Sequence, residues 1–585
     1  MKNNLLNSIF VSLMLLSMSG CAQTDPNAVV DFKFADEVGF PAKMRIPESG
    51  YINFNVTHYN ESVSNIAYTC YDQKQNLDNG ISLSLCKEGS ETNIIDEPLV
   101  SGQKYTLTAT YQGFSDSKEF VADERVSLLK KKDLAFTAKD IDENYSTSSG
   151  NVKLLVVLIN LTGSWLDTWD ESYRSNINSA YFGSDPLSLT SYYRDCSNGA
   201  MNISGMVSEI YNYSTYTSDQ MQNDSDGYSH LVYCMRDALY AIEDNHPEIN
   251  WSEYDLDNNG VIDNIHFVTN FNPSYYQSAT GKSPWATTLW PHMSIVNFET
   301  RSDRLVYRNY SAGVLNHLID EYGNVSAITP IHEQGHIFGL PDYYDYGGLV
   351  DYIGSLDMQS GNVFDWNSYS KLSVGWIDSY VVNDECTITI PAASAGGKCL
   401  IIPANSKKFN NSAYDEYFLI ELFSKFGNNA KFGSLWNSVF KGSEEKYGVR
   451  LYHVDSRLFN SSGKATDDPN EGFMLIDNNN YDYTDAIYGG DSRFRKLVDK
   501  KMLTLIQKGG KDTFGDEDGG RKYLKAEDLF MKGDTFTFEK YAKFLSKKHK
   551  KVEFMDSGEE FPYQIDFLEM NENMATVKLS KLPQK

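Results

Sequence analysis

The sequence is poor in basic residues for its length. Its 585 residues include 52 lysines and arginines against 79 aspartates and glutamates, so the formal net charge at pH 7 is −27. This charge argues against a nucleic-acid partner, because the phosphates would be repelled. An excess of acid is typical of a protein that stays soluble in a crowded or salty compartment, and part of it could also bind calcium.

Cysteine is also scarce, and no CxxC pair or cysteine–histidine cluster occurs. Zinc bound through thiolates is therefore not expected. Six cysteines follow Cys21, and this even number permits disulfides in an exported protein. Buried free thiols are the alternative, since the sequence does not determine connectivity. The pairs that proximity along the chain suggests are Cys70–Cys86, Cys196–Cys234 and Cys386–Cys399.

The chain also lacks long apolar runs beyond its N-terminus and contains no GxSxG or P-loop string, so serine-hydrolase and NTPase functions have no support. The run Leu5–Met18 follows Lys2 and is too short for a comfortable membrane span. It ends in Met18-Ser-Gly-Cys21, which resembles a bacterial lipobox. We expect residues 1–20 to be a signal peptide and a lipid on Cys21 to be the only membrane anchor, with the outer membrane favoured; ordinary secretion is the alternative.

A chain of this length predicts about three to four domains. Short strand-like pieces separated by Asn, Gly and Ser predict a β-sandwich-like domain at 21–137, followed by a polar linker at 138–150. Mixed strand and helix patterns predict an α+β catalytic domain at 151–379, beginning with the buried strand Val152–Asn160. A further strand is predicted at Ile262–Thr269, and Thr329-Pro330 would suit an N-cap and a first-turn proline of a helix that starts just before His332. Strand-like runs return at 380–585 and predict one or two β-rich domains, which could complete the catalytic unit.

The most informative segment is His332–Asp342, with the sequence HEQGHIFGLPD. His332 and His336 are four residues apart and would project from one face of a helix, where two imidazoles can bind one Zn²⁺. Glu333 would lie beside the metal as a base toward water. Gly339 could end the helix in a left-handed conformation and turn Asp342 toward the metal as a third ligand.

Several motifs carry a family resemblance. HExxHxxGxxD followed by a methionine turn resembles the metzincin clan of zinc endopeptidases, and the string His332–Tyr346 resembles the immune inhibitor A (thuringilysin) family. Supporting likenesses lie at Ser191–Ala200, Ser355–Gly361, Lys371–Ile377 and Gly448–Asp455.

The resemblance spans roughly residues 150–460 and is sparse between the motifs. It implies a metzincin-like catalytic domain flanked by β-sandwich-type domains, with Met358 packed under the metal without reacting. It also implies that zinc is the cofactor and that the substrates are proteins or peptides.

The sequence leaves three alternatives at the site. The third ligand could instead be a downstream glutamate, as in other HExxH peptidases, and Glu421 is the nearest candidate. Tyr343 or Tyr344 could reach the oxyanion of a substrate, although tyrosines are common throughout this chain. His292 could line the cleft, but a packed structural histidine is the more ordinary interpretation.

A second group of oxygen-bearing residues lies in Asp255–Asp263, where Gly260 allows a tight turn. Their spacing matches positions 1, 3, 5, 7 and 9 of a calcium loop, with a backbone carbonyl at position 7. Position 12 is His266, not glutamate, so a full EF-hand is not supported; an Asp/Asn-rich turn without metal is the alternative. The predicted calcium ligands are Asp255, Asp257, Asn259, Val261 and Asp263.

Together these patterns predict an exported, lipid-anchored zinc endopeptidase in which His332, His336 and Asp342 hold the metal and Glu333 is the base. The alternative is a surface adhesin or matrix-binding protein that keeps a peptidase-like scaffold. An intact Glu333 argues against that alternative, because binding alone needs no base beside a metal. The sequence does not determine the oligomeric state or the substrate preference.

Overall fold

The computed structural model describes residues 28–29, 37–38, 43–45, 53–60, 65–72, 81–94, 103–111, 114–123, 126–284, 288–301, 305–318, 326–346, 351–478, 500–514, 523–544 and 554–583. The signal segment and Cys21 lie outside the described residues.

The α-helices within these residues are Ala138–Ile141, Glu171–Phe182, Leu189–Cys196, Ser218–Asn223, Gly227–Asn245, Pro273–Thr280, Ile328–Ile337, Met358–Gly361, Ser368–Ser373, Gly427–Lys431, Gly433–Val439 and Phe538–Tyr541. The strands are β1 (Ala28–Val29), β2 (Glu37–Val38), β3 (Lys43–Arg45), β4 (Asn53–Asn60), β5 (Asn65–Asp72), β6 (Ile81–Lys87), β7 (Lys104–Tyr111), β8 (Phe114–Asp123), β9 (Val126–Leu129), β10 (Gly150–Leu161), β11 (Met201–Tyr213), β12 (Val261–Ile262), β13 (Ile265–Thr269), β14 (His292–Glu299), β15 (Val306–Val314), β16 (Asp378–Val382), β17 (Cys386–Pro391), β18 (Lys398–Pro403), β19 (Glu416–Phe423), β20 (Gly448–Asp455), β21 (Leu458–Phe459), β22 (Ala465–Thr466), β23 (Phe473–Met474), β24 (Leu503–Leu505), β25 (Thr535–Thr537), β26 (Tyr563–Met570) and β27 (Met574–Lys581).

Helices and strands are mixed, and the strands form several sheets, which is compatible with the predicted α+β class. The described part of the chain contains no helix long and apolar enough to cross a membrane.

The sheet that positions the candidate site has the order β11-β10-β13-β15. These strands run parallel, β12 also pairs in parallel with β15, and β14 pairs antiparallel with the other side of β15. β10 confirms the strand predicted at Val152–Asn160. The single strand predicted at Ile262–Thr269 is instead two strands, because Asp263 and Asn264 interrupt the pairing.

Strand β10 is buried on both faces, which explains why its sequence is continuously apolar. Val152, Leu154, Val156 and Leu158 belong to the core that includes Ile331 and Phe338. The alternate side chains belong to the opposite core, which is covered by the helix Gly227–Asn245; they are Leu155, Val157, Ile159 and Leu161.

A second large sheet has the order β24-β20-β19-β18-β16-β9. One face packs in a core that includes Leu356 and Tyr369, and the other packs against the sheet β17-β27-β26-β25. β9 comes from the predicted N-terminal domain, yet it pairs antiparallel with β16. The predicted linker 138–150 contains a helical turn, Ala138–Ile141, and the domain limits themselves stay predictions.

The suggested disulfides do not form at the described cysteines, none of which is in a disulfide: Cys86, Cys196, Cys234, Cys386 and Cys399. The physical reason is that sheets separate the partners. Cys196 and Cys234 lie in two different cores, on opposite faces of the sheet that contains β10. Cys399 and Cys386 likewise lie in two different cores, on opposite faces of the sheet that contains β19. Proximity along the chain therefore does not bring these pairs together.

Candidate metal centre

The helix Ile328–Ile337, here called the motif helix, presents both motif histidines on one face. The ring centroids of His332 and His336 are 4.7 Å apart. The helix begins two residues earlier than the Thr329-Pro330 pair predicts, with Ala327 as its N-cap. Pro330 consequently lies inside the first turn, where its missing N–H removes no intrahelical bond.

The end of the motif helix turns the chain back toward the histidines. Gly339 has φ +93°, the left-handed conformation predicted for it. Its N–H donates to the carbonyl of His336 at 2.9 Å, and the N–H of Leu340 donates to the carbonyl of Gly335 at 3.1 Å. A Cβ atom at Gly339 would lie 2.7 Å from the Tyr145 ring, so the turn needs glycine for space as well as conformation.

This turn brings the Asp342 carboxylate onto the two imidazoles. Asp342 Oδ1 lies 3.0 Å from His332 Nε2 and 3.4 Å from His336 Nε2, and the two Nε2 atoms are 3.1 Å apart. Asp342 Oδ1 is buried and has no hydrogen-bond partner among the described residues. Three potential ligand atoms therefore converge on one point.

Hydrogen bonds behind the rings fix their orientation. His332 Nδ1 lies 2.8 Å from the carbonyl of Met358, and His336 Nδ1 lies 2.7 Å from the carbonyl of Leu340. Because a carbonyl only accepts, each Nδ1 carries the proton that it donates, and in the neutral ring this leaves the Nε2 lone pair toward Asp342. The phenol of Tyr346 donates to Asp342 Oδ2 at 2.9 Å and holds the carboxylate in place.

The spacing of the three atoms fits a tetrahedral metal. Nitrogen and oxygen ligands roughly 2.0–2.1 Å from zinc lie about 3.3 Å from one another in that geometry. The observed separations of 3.0, 3.1 and 3.4 Å agree with this value. Two imidazoles and one carboxylate form a donor set that suits zinc and leaves one position open.

The charges in the site are strongly coupled. Burial opposes charge on His336, but the Asp342 carboxylate outweighs it and raises the pKa of that histidine to about 9. Burial would raise the pKa of Asp342, but the two imidazoles hold it far below its usual range. The space between the two Nε2 atoms and Asp342 Oδ1 therefore favours positive charge. A metal cation can supply this charge in place of protons on the imidazoles.

Glu333 lines the same cleft, and it does not belong to the group of converging ligand atoms formed by His332, His336 and Asp342. Burial raises the pKa of Glu333, the neighbouring imidazoles lower it, and the net direction is upward. The carboxyl group is thus held beside the ligands without being one of them.

The cleft has a volume of about 940 Å³. Trp290, His292 and His317 line one side, and the rings of Trp290 and His317 pack edge to face at 5.4 Å. His292 lies in the wall and is also a packed residue, since its Nε2 contacts the Tyr310 hydroxyl at 3.0 Å. Both interpretations considered for His292 are consequently true.

Strand β14 begins at His292 and forms an edge of the first sheet beside the cleft. It pairs with β15 on one side, and no strand pairs with its other side within the described ranges. Backbone groups on that edge can pair with an extended peptide.

The tyrosines after Asp342 have different environments. Tyr343 is fully buried and its hydroxyl contacts Ser370 Oγ at 2.6 Å, so it does not face the cleft. Tyr344 lines the cleft, with its ring centroid 6.5 Å from that of His332. Tyr346, which was not predicted as a site residue, also lines the cleft, and its phenol donates to Asp342; in the sequence only its place in the motif string pointed to it.

Met358, at the predicted methionine turn, is fully buried in the core that also contains Ile331 and Phe338. Its carbonyl contacts a proposed ligand, through the bond to His332 Nδ1.

Glu421, the alternative third ligand, lies elsewhere. Its Oε2 accepts from the backbone N–H of Ser368 at 2.7 Å, and Oε1 lies 3.5 Å from an Arg450 guanidinium nitrogen. The group of potential ligands around the motif histidines contains Asp342 and not Glu421.

The proposed calcium loop is held by its own backbone. Asp255 Oδ1 and Oδ2 accept from the N–H groups of Asn259 and Gly260, both at 3.0 Å. Asp257 Oδ2 lies 2.6 Å from the ammonium of Lys139, and Asp263 Oδ2 accepts from the N–H of Leu256 at 2.8 Å.

The three aspartates of this loop do not form one of the groups of converging acidic or imidazole ligands found among the described residues. Asn259 instead accepts from the N–H of Val261 at 2.8 Å through its side chain. Calcium therefore stays a prediction, with the Lys139 ammonium as the cation that the structure itself places at the loop.

Comparison with known proteins adds no assignment. No protein family model matches the chain, and a search of the curated proteins finds no similar sequence. The chemistry of the site must therefore carry the functional argument.

Proposed function

We propose that this protein is a zinc-dependent endopeptidase with a metzincin-like catalytic domain, exported and held at the bacterial cell envelope by a lipid on Cys21. The observation that carries the proposal is the convergence of His332, His336 and Asp342 within 3.0–3.4 Å, in a cleft that the Glu333 carboxyl group also lines. A metal-binding scaffold alone would not need that carboxylate in the same cleft.

His332, His336 and Asp342 would hold the metal through Nε2, Nε2 and Oδ1. When bound, zinc would supply a Lewis acid that polarises a peptide carbonyl and makes water more acidic. Glu333 accepts the proton of the attacking water and returns it to the nitrogen of the leaving amine as the peptide bond breaks.

A peptide substrate is supported by the edge strand β14 at the cleft. An extended chain added beside β14 would form main-chain hydrogen bonds that do not depend on sequence. The side chains of the peptide would alternate between the cleft and solvent. Those that enter the cleft would meet the apolar surface of the Trp290 and His317 rings. Tyr344 and Tyr346 would border the same peptide.

The proposal is tested by changing Glu333→Gln, which keeps the shape of the side chain and removes the base. We expect hydrolysis of a mixed protein substrate to fall at least a hundredfold, since a general base contributes about 10²–10⁴-fold. Zinc content should stay near that of the wild-type protein, because Glu333 is not a ligand. A chelator should abolish cleavage by the wild-type protein, and its removal with return of zinc should restore cleavage.

Asp345→Asn is the matched control, because Asp345 is another carboxylate that lines the cleft. It should keep activity within a few-fold of wild type. The proposal fails if Glu333→Gln retains wild-type turnover, or if the wild-type protein binds zinc and cleaves no protein substrate. The latter outcome would favour the adhesin alternative.

A further inference from the structure

A second group of potential metal ligands lies where the helix Ser218–Asn223 meets the long helix Gly227–Asn245. Asp224, Asp226 and His230 each offer one ligand atom there, and these atoms lie within 4.8 Å of one another. His230 Nε2 is 3.3 Å from Asp226 Oδ2, and His230 Nδ1 is 3.9 Å from Asp224 Oδ2. The carboxylates are exposed, whereas the imidazole is buried.

The imidazole of His230 is the unusual member of this group. The residue is only 6% exposed, and its Nδ1 has no hydrogen-bond partner among the described residues. The ring is stacked on Tyr216 with centroids 3.8 Å apart and planes 9° from parallel, so its direction is fixed. A buried, oriented nitrogen without a partner normally requires an explanation, such as an absent ion.

Asp226 likewise lacks the usual role of an aspartate at its position. It is the N-cap of the long helix, yet its side chain accepts no capping hydrogen bond. An N-cap aspartate ordinarily accepts from a backbone N–H two or three residues later. Here the carboxylate instead faces His230.

His246, at the other end of the same helix, shows what a satisfied histidine–carboxylate group looks like. Its Nε2 lies 2.7 Å from Glu209 Oε2 and its Nδ1 lies 2.9 Å from Glu248 Oε1. Both nitrogens are therefore engaged directly in hydrogen bonds. At His230, by contrast, Nδ1 lies 3.9 Å from Asp224 Oδ2 and has no direct hydrogen bond, so its lone pair is available to an ion that the carboxylates also contact.

A third group, Glu416, His453 and Asp556, is explained without a metal. His453 Nε2 lies 2.9 Å from Glu416 Oε1, and the ammonium of Lys500 lies 3.2 Å from Asp556 Oδ1. Cationic side chains already balance its carboxylates. Near Asp224 and Asp226, the ammonium of Lys282 donates to the side chain of Asn223 at 3.0 Å, and the ion-pair contacts of the two carboxylates among the described residues are those with His230.

We propose that Asp224, Asp226 and His230 bind a second divalent metal ion, separate from the candidate zinc centre. One imidazole and two carboxylates suit a transition metal such as Zn²⁺ or Mn²⁺ better than Ca²⁺, which prefers oxygen ligands only. Water would complete the coordination on the exposed side. The ion would join the two helices at their junction and neutralise two adjacent carboxylates.

The position of the group links it to the wall of the cleft. Tyr228, in the first turn of the long helix, contacts Ser294 Oγ of β14 at 3.0 Å and the Tyr310 hydroxyl at 3.2 Å. Tyr310 in turn contacts His292, which lines the cleft. An ion that holds the start of this helix would therefore also stabilise the edge strand.

The test is metal binding by the full-length protein, measured by equilibrium dialysis against Zn²⁺ and elemental analysis. We expect two zinc ions per wild-type chain and one per chain in Asp226→Asn and in His230→Phe. The phenylalanine keeps the ring stacked on Tyr216, so its effect reports ligation and not packing. His246→Gln, the matched control, should keep two ions.

A His332→Ala/His336→Ala variant separates this proposal from the proposed function. It should retain one zinc ion, and adding Asp226→Asn should remove that ion with at least a tenfold loss of affinity. If Asp226→Asn and His230→Phe bind as much zinc as wild type in both backgrounds, the second site does not exist. Loss of zinc in the His332/His336 variant alone would concern only the candidate zinc centre.

Discussion

At the scale of single residues, the candidate site depends on Gly339 as much as on the ligands themselves. Glycine accommodates φ +93° without steric cost, whereas other residues lose roughly 1–2 kcal/mol in left-handed backbone. Gly339→Ala would also place its Cβ 2.7 Å from the Tyr145 ring. We expect the turn to shift, Asp342 to move away from the imidazoles, and zinc affinity to fall at least tenfold, as measured by competition with a chelator.

Gly533→Ala provides the matched control for this prediction. Gly533 has φ +89°, but a Cβ there would meet no heavy atom within 4 Å. Gly533→Ala should lower thermal stability through a similar backbone strain, and it should leave zinc affinity unchanged. Equal zinc affinity in the two alanine variants would show that the turn does not position Asp342.

At the scale of elements, the segment 138–150 connects the proposed calcium loop to the end of the motif helix. Lys139 contacts Asp257 in the loop and donates to the carbonyl of Tyr145 at 2.8 Å. Ser146 donates from its backbone to the carbonyl of Ile337 at 2.9 Å. The segment predicted as a linker therefore contacts both the proposed calcium loop and the end of the motif helix.

We expect Lys139→Met to lower the free energy of unfolding by about 1 kcal/mol in a chelating buffer, because Asp257 loses its cation. Millimolar calcium should then raise the thermal midpoint of the variant more than that of the wild-type protein, since the ion can replace the ammonium. Thermal unfolding of both proteins with and without calcium measures the difference. An equal effect of calcium on both would count against a calcium site at Asp257.

Elements with a strong periodic pattern could be predicted from the sequence, and the contacts between distant elements could not. The strand β10 and the spacing of His332, His336 and Asp342 follow from local rules, because all the information lies within one short segment. Only the helix start was misplaced, since Pro330 is tolerated at several positions of a first turn. Asp263 and Asn264 broke a predicted strand because their polar side chains bond the neighbouring loop and Ser146.

Most of the misses arise because sheet topology is not encoded locally. The cysteine pairs were wrong because neighbouring cysteines face opposite sides of a sheet. Trp290 and His317 lie in the cleft wall because the β14–β15 pairing folds them toward the motif helix. Tyr346 was overlooked because a common residue type carries no signal until its hydrogen bond is known.

At the scale of the whole molecule, the C-terminal sheet supports the turn that follows the motif helix. Arg450 of β20 is 3% exposed and donates to the carbonyl of Leu356 at 2.9 Å. Its guanidinium carbon also lies 3.6 Å from the centroid of the Phe423 ring. Leu356 is two residues before Met358, whose carbonyl orients His332. The predicted catalytic domain 151–379 therefore lacks part of the structure that holds its own candidate site.

The Arg450–Glu421 pair provides the test of this coupling. Arg450→Leu leaves the Glu421 carboxylate buried without its cation, which should cost about 3–5 kcal/mol of unfolding free energy. The double variant Arg450→Leu/Glu421→Leu should recover most of that stability, because neither charge remains buried. Zinc affinity, however, should stay at least tenfold reduced in the double variant, since no donor remains for the Leu356 carbonyl.

Chemical unfolding and chelator competition measure the two quantities separately, and Lys532→Leu is the control. Lys532 forms an exposed ion pair with Glu569 at 2.7 Å in the C-terminal region, so its loss should change unfolding free energy by less than about 0.5 kcal/mol. If the folded double variant bound zinc as tightly as wild type, the C-terminal sheet would contribute stability only. Persistent weak binding in a stable double variant would instead mean that β20 acts on the metal site through the backbone of the methionine turn.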